Sequence, residues 1–232
     1  MKKENTTSPV QIFIGYEASE HKAYEVCVSS IEQRSNIQIN KLHTSLLPNW
    51  YREKEPHQST DFTYTRFLCP ELMDFEGISI FCDCDFLWLA NPARLIDYIS
   101  PDQAVAVCQH PAYTPNSAIK MDGKAQHQMP RKNWASMIVF NNSHPSNKIL
   151  TNQYVNEHMP GRDLHQFKWL KDSEIGSIPL DWNCLDDYYL LENPKAVHFT
   201  DGGPWFEEYK DTMYSDLWIE QALSRYDDDN ES

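Results

Sequence analysis

Glycine is scarce in this chain, at seven residues in 232. Aromatic residues are not, with seven Trp, twelve Tyr and ten Phe. That balance favours a packed globular enzyme or binding protein over a disordered chain. Basic residues are also in short supply, 20 against 34 acidic, giving a formal net charge of −14. Nucleic-acid binding rests on clustered Lys and Arg, so no nucleic-acid partner is expected. No apolar run approaches the roughly 20 residues that span a bilayer. Met1-Lys2-Lys3 leads into polar Glu4-Asn5-Thr6-Thr7-Ser8 rather than an apolar leader. The six cysteines, at 27, 69, 82, 84, 108 and 184, lack paired spacing. They read as reduced core thiols, and the expectation is a cytoplasmic protein with no transmembrane segment.

What is present points to an α/β fold. Val10-Gln11-Ile12-Phe13-Ile14 reads as a first strand, and Tyr24, Cys27, Val28 and Ile31 give residues 18–33 a helical apolar face. Ile37 to Leu42 alternates as a second strand. Residues 61–74 read as a helix in which Pro70 sets a kink or a start. Ile78-Ser79-Ile80-Phe81-Cys82 is a buried strand, Asn91-Pro92 caps a helix over 93–99, and Ala104 to Cys108 is a further strand. This β-α-β-α-β-α-β order predicts a mostly parallel central sheet with helices on both faces. In the second half, strands are expected at 136–140 and 196–199, and helices near 145–157, 163–170 and 213–225. Residues 109–133 form a long polar connection of the kind that often carries function. Residues 1–9 read as a tail, 10–226 as a single domain, and 227–232 as an acidic tail.

Asp83 and Asp85 follow the apolar strand, one residue apart. Strand side chains alternate faces, so the two carboxylates are expected on one side and Cys82 and Cys84 on the other. Burying carboxylates without a partner is costly. A divalent cation is a natural partner for hard oxygen ligands, and Mn²⁺ or Mg²⁺ suits them. The end of a parallel strand is also where open α/β sheets bind ligands. The plain alternative is a pair that caps a helix or binds an Arg.

His198-Phe199-Thr200-Asp201-Gly202-Gly203-Pro204-Trp205 is the second informative run. Its histidine ends a short strand and suits a third ligand position. Gly202 and Gly203 permit close backbone approach. A core histidine beside an ordinary turn is the competing reading.

Together these segments make the chain resemble the family 8-like glycosyltransferases of the GT-A fold. The resemblance runs through Phe13-Ile14-Gly15-Tyr16, Thr63-Tyr64-Thr65-Arg66-Phe67, Phe81 to Asp85, Asn133-Trp134-Ala135-Ser136, Leu180-Asp181-Trp182-Asn183 and His198 to Trp205. It implies that Asp83, Asp85 and His198 hold a divalent metal, usually Mn²⁺, on the diphosphate of a nucleotide sugar, with UDP the expected nucleotide. It also implies that Ile14, Gly15 and Tyr16 line the base and ribose pocket, and that Arg66 reaches the donor. Trp134, Trp182 and Trp205 are candidates for stacking on a sugar, and Asn133 and Asn183 for bonding hydroxyls. The family commonly places a Lys before Pro-Trp, and this chain has none there. Backbone groups of Gly202 and Gly203, Lys210, or Lys120, Lys124, Arg131 and Lys132 of the long connection are the candidates to replace it. The family's D-Q-D segment is replaced near Arg162 to Gln166, with Asp163 the candidate residue.

The implied reaction transfers a sugar from a nucleoside diphosphate to a saccharide hydroxyl, with retention. Asp163 and Asp181 are the candidate catalytic carboxylates, and an inverting enzyme would draw its base from these or from Asp186, Asp187 and Asp201. A D-x-D phosphotransferase ranks lower, because its motif usually follows the first strand. A sugar-nucleotide pyrophosphorylase would need a Gly-rich basic signature that the first strand lacks. The non-enzyme alternative is a catalytically silent GT-A-fold protein that binds carbohydrate or nucleotide.

Overall fold

The computed structural model describes residues 10–55, 58, 60–111, 119–120, 124–125 and 130–231, with the side chains of 119–120, 124–125 and 226–231 left aside. The expected tail at 1–9 and much of the long connection, including parts of 109–133, lie outside the described residues.

The central sheet holds six strands: β1 (Gln11–Gly15), β2 (Gln38–Leu42), β3 (Ile78–Cys82), β5 (Val105–Cys108), β8 (Met137–Asn141) and β9 (Ile175–Ile178). Their order is β2-β1-β3-β8-β5-β9. All run the same way except β8, which is antiparallel to both β3 and β5. The sheet is therefore mostly parallel with one reversed strand near its middle. Ile80, Phe81 and Cys82 of β3 and Met137 to Phe140 of β8 are fully buried. Continuous apolar runs of this kind are what strands covered on both faces require.

A second, three-stranded sheet carries β4 (Phe86–Trp88), β10 (Cys184–Leu185) and β11 (Ala196–His198), in the order β10-β11-β4. Helix α1 (His21–Glu32) packs against β4 and against α4 (Ser215–Glu231). Its buried face is Ala23, Val26, Cys27, Ser29, Ser30 and Ile31. The strands β6 (Ile119–Lys120) and β7 (Lys124–Ala125) pair antiparallel.

Several elements differ from expectation. The helix read over 61–74 is a 3-10 stretch, Thr65–Leu68, followed by the short α2 (Cys69–Leu72). Pro70 lacks an N–H and is tolerated only in the first turn, so the regular helix starts there instead of passing through it. The segment after Asn91 is 3-10, Pro92–Tyr98, with Asn91 accepting from the Ala93 amide at 2.9 Å. The helices expected near 145–157 and 163–170 are a 3-10 stretch, a π turn at Tyr154–His158, and the short α3 (Gly161–His165). Pro145 opens the 3-10 stretch, and Pro160 separates the π turn from α3. Helix α4 continues to Glu231, through most of the segment read as an acidic tail.

The six cysteines are free and buried. Burial raises the Cys82 and Cys84 thiols well above the ordinary range, so neither is a thiolate at neutral pH. Among the described residues, no helix is long and apolar enough to cross a membrane.

Candidate functional site

The two sheets meet at one turn, and the candidate site is built on it. Strand β3 belongs to the central sheet, β4 to the small one, and Asp83-Cys84-Asp85 is the connection between them. The aspartates thus sit in a turn, not on a strand as the alternation argument had them. Their side chains converge because both ends of the turn are fixed. The Asp83 amide is donated to the Ser136 carbonyl (2.9 Å), and the Phe199 amide to the Asp85 carbonyl (3.0 Å). The buried Cys84 thiol faces the Glu20 carboxylate.

The antiparallel ladder of β11 and β4 pairs His198 with Phe86, the residue after Asp85. That register delivers the imidazole to the carboxylates. His198 Nε2 lies 3.4 Å from Asp85 Oδ1, and the imidazole stacks on the Phe86 ring with centroids 4.6 Å apart. One donor atom each from Asp83, Asp85 and His198 lies within 4.8 Å of the others. His198 is 2 % exposed and Asp85 7 %.

A chain of hydrogen bonds fixes the histidine tautomer. Ser136 Oγ donates to the Asn133 carbonyl (2.7 Å), which can only accept. The Asn183 atom facing Ser136 Oγ at 2.9 Å must therefore be its NH₂. The Asn183 carbonyl oxygen then faces His198 Nδ1 at 3.0 Å, so Nδ1 carries the proton. With Nδ1 turned to Asn183, Nε2 is the ring nitrogen that faces the buried Asp85 carboxylate. Two carboxylates and one imidazole within 4.8 Å of one another are a donor set that could hold a divalent cation such as Mn²⁺ or Mg²⁺. The Asn183 bond is the outer-shell partner that metal-binding histidines normally have.

Arg66 is buried beside this group. It donates to the Thr63 carbonyl (3.1 Å) and the Ala135 carbonyl (2.7 Å), and pairs with Asp83 Oδ1 at 2.9 Å. A cleft opens above, lined by Asp83, Asp85, His198 and Arg66 together with Glu20, Phe62, Asn133, Ser136, His165, Thr200, Arg131 and Lys132.

The sequence of a protein named Protein CDI from Arabidopsis thaliana is 43 % identical over 233 residues, covering 96 % of this chain and 89 % of that one. The chain belongs to the Protein CDI family. No family profile matches it. The fold of this CDI-family chain is that of the GT-A glycosyltransferases. The bifunctional glycosyltransferase WbbM superposes with a TM-score of 0.63 at 18 % identity, over 95 % of this chain and 50 % of that one. Glycosyltransferase GlyE of Streptococcus pneumoniae TIGR4 gives 0.61 at 14 %, over 94 % and 61 %. The galactosyltransferase LgtC, in complex with donor and acceptor sugar analogues, gives 0.58 at 14 %, over 92 % and 95 %. The chain thus spans half of WbbM and under two thirds of GlyE.

In the CDI-family structure the other sequence candidates fall into two groups. Asn133 lines the cleft and donates to Thr200 Oγ1 at 3.2 Å. Trp134 is half-buried, its Nε1 donating to the His110 carbonyl at 3.0 Å. The remaining candidates stand off the lining. Gly15 and Ile14 are buried, and the Phe62 ring covers Gly15 so closely that a Cβ there would collide with it. Tyr16 turns outward under Lys41, whose Nζ sits 3.6 Å over its ring. Trp182 is core, packed on Trp88 and Tyr98, and Asn183 is fully buried on His198. The Gly202 amide is donated to the Phe199 carbonyl (3.0 Å), which removes it from a phosphate nest. Gly203 carries the Trp205 and Phe199 rings against its Cα. Trp205 packs on Phe199 and Trp218. Lys210 is paired with Glu207 on the surface. Asp181 is paired with Lys195 at 3.0 Å, and Asp163 lies in the first turn of α3.

Two cleft residues were missed or misplaced in the sequence. Glu20 is 1 % exposed at the entry to α1. Its signal was position alone, the first βα turn after β1, where open sheets bind ligands. In the segment 162–166 it is His165, not Asp163, that lines the cleft. His165 Nδ1 lies 2.8 Å from the Gly161 carbonyl and so carries the proton. Burial, with the Arg66 charge nearby, pushes its pKa down to about 3.

Proposed function

We propose that this protein is a metal-dependent glycosyltransferase of the family 8 kind, moving a sugar from a UDP-linked donor to a saccharide hydroxyl with retention. The observation that carries the reading is the convergence of Asp83, Asp85 and His198 in a cleft of a GT-A fold. A divalent ion bound there would supply positive charge to the diphosphate as it departs. The chain's own residues prepare the site. Asn183 holds the His198 proton on Nδ1 and keeps Nε2 available as a ligand. Arg66 offsets one aspartate charge and locks the Asp83 side chain. Asn133 and Thr200 offer polar groups at the mouth where donor hydroxyls would lie.

Retention follows from the family 8 resemblance, and the cleft lining narrows the inverting alternative to one residue. An inverting enzyme needs a carboxylate base beside the acceptor. Among the described residues, Asp163, Asp181, Asp186, Asp187 and Asp201 do not line it. Glu20 is the lining carboxylate apart from Asp83 and Asp85.

The test is a panel of nucleoside-diphosphate sugars incubated with Mn²⁺, with EDTA, or with the Asp85→Ala variant. The reading predicts release of UDP from one sugar nucleotide with Mn²⁺ and loss of that release in the other two conditions. Failure of every sugar nucleotide to bind or react in the presence of metal would overturn it in favour of a silent binding protein.

A further inference from the structure

Helices α1 and α4 pack together, and one face of each lines a second cavity, of about 200 Å³, that shares no residue with the cleft. Lys22 and Val26 are four apart on α1, as are Trp218 and Ala222 on α4, so each pair shares one helix face. Trp205, from the run after β11, completes the aromatic part of the lining. Its ring lies 5.6 Å from that of Trp218 and packs edge-on against Phe199. Val26 and Ala222 are small, so the space between the helices and the two indoles stays open.

The polar groups of the lining define what it accepts. Trp205 Nε1 is buried and has no hydrogen-bond partner. An indole N–H can only donate, and a buried donor left unpaired is costly. Arg225 pairs with Glu25 at 2.7 Å and holds that carboxyl below its usual range, so these two charges offset one another. Lys22 lines the cavity as well, and among the described residues it has no ion pair. Apolar walls, one unpaired donor and one cation without a counterion are thus presented together. An apolar cavity of about 150 Å³ holds a benzene-sized ring. The larger volume here has room for such a ring with a small anionic head group. A saccharide would need acceptors as well as donors, and the lining carboxylate, Glu25, is already engaged by Arg225. An aromatic cation would face the Lys22 charge.

We propose that this cavity is a binding site for a small aryl carboxylate, with the ring among Val26, Ala222 and the two indoles and the carboxylate accepting from Trp205 Nε1 and Lys22. The site goes beyond the transferase reading, and its occupancy requires no nucleotide, sugar or metal ion.

Nuclear magnetic resonance titration of the full chain tests it, with benzoate, benzyl alcohol, benzylammonium and methyl glucoside as probes and the indole N–H signals as readout. The Trp205 signal is the one missing from Trp205→Phe. Benzoate should shift that signal saturably, with a dissociation constant on the order of 1 mM for so small a ligand. Lys22→Gln should weaken benzoate by about 3- to 10-fold at low ionic strength, the worth of a charge-assisted bond from an exposed side chain, and leave benzyl alcohol unchanged. Ala222→Leu fills the cavity and should abolish the response. Lys22→Gln alters only an exposed side chain, so it keeps the test decisive should the Trp205 or Ala222 variant fail to fold. Any of three results would overturn the site: no saturable shift of the Trp205 signal, benzoate affinity unchanged in Lys22→Gln or Ala222→Leu, or tighter binding of benzylammonium or methyl glucoside than of benzoate.

Discussion

His198 Nε2 faces Asp85 Oδ1 across 3.4 Å, while Nδ1 at the other side of the ring is bonded to Asn183. With Asp83 the pair makes up a three-residue donor set that could hold a metal ion. Replacing Asn183 with Leu should free the imidazole to take the other tautomer and bond Asp85 directly. Outer-shell changes of this kind typically cost 10- to 100-fold in metal affinity, and about that loss of Mn²⁺ affinity is expected, measured by calorimetry. Thermal unfolding without metal should confirm that the variant is folded.

Arg66 and Asp83 form the second buried charge pair, at 2.9 Å with both side chains largely shielded. Arg66→Met should leave the Asp83 carboxylate without its countercharge and destabilise the metal-free protein by about 3–5 kcal/mol. Mn²⁺ supplies a substitute positive charge, so it should raise the melting temperature of Arg66→Met by more than that of wild type. Equal metal-induced shifts would contradict the placement of Asp83 beside the ion.

Much of this geometry was legible in the sequence. The apolar run before Asp83 and the short strand before His198 identified three residues that the structure brings together. Their convergence was not derivable from strand alternation, because Asp83 and Asp85 occupy a turn between two sheets. The ladder of β11 on β4 is a long-range pairing, and local sequence does not encode it. Short helices were over-read for a related reason. Apolar spacing at 61–74 matched a helix, while Pro70 and tertiary packing settled on a 3-10 stretch and one short helix. Glu20 was hidden because a single charged residue between elements looks like surface. Trp182 and Trp205 show the converse. Their aromatic character suggested sugar stacking, but neighbours from α4 and from the Trp88 region enclose them.

Gly15 marks a packing constraint at the end of β1. An added methyl would meet the Phe62 ring, which packs on Phe81. Gly15→Ala should cost about 1–3 kcal/mol, read by urea unfolding. The double variant Gly15→Ala with Phe62→Leu should recover part of that loss, because the smaller side chain makes room.

His165 gives a pH signature. Its pKa is pushed down to about 3 by burial and Arg66, below the ordinary value of 6.5. Between those values the unfolded chain holds a proton that the folded protein does not. The contribution is therefore fully present above about pH 6.5 and is lost as pH falls toward 3, at up to about 1.4 kcal/mol per pH unit. Urea unfolding of His165→Gln between pH 7 and 4 should show a shallower decline than wild type. Parallel declines would mean that His165 is protonated in the folded state.

The central claim is that Asp83, Asp85 and His198 hold one divalent ion. Electron paramagnetic resonance of a Mn²⁺ titration in the presence of UDP reads it directly, because bound Mn²⁺ loses the sharp free-ion signal. One ion per chain in the wild type, with that binding lost in both Asp85→Ala and His198→Ala, is the predicted result. Stoichiometric binding that survives in either variant would contradict the account.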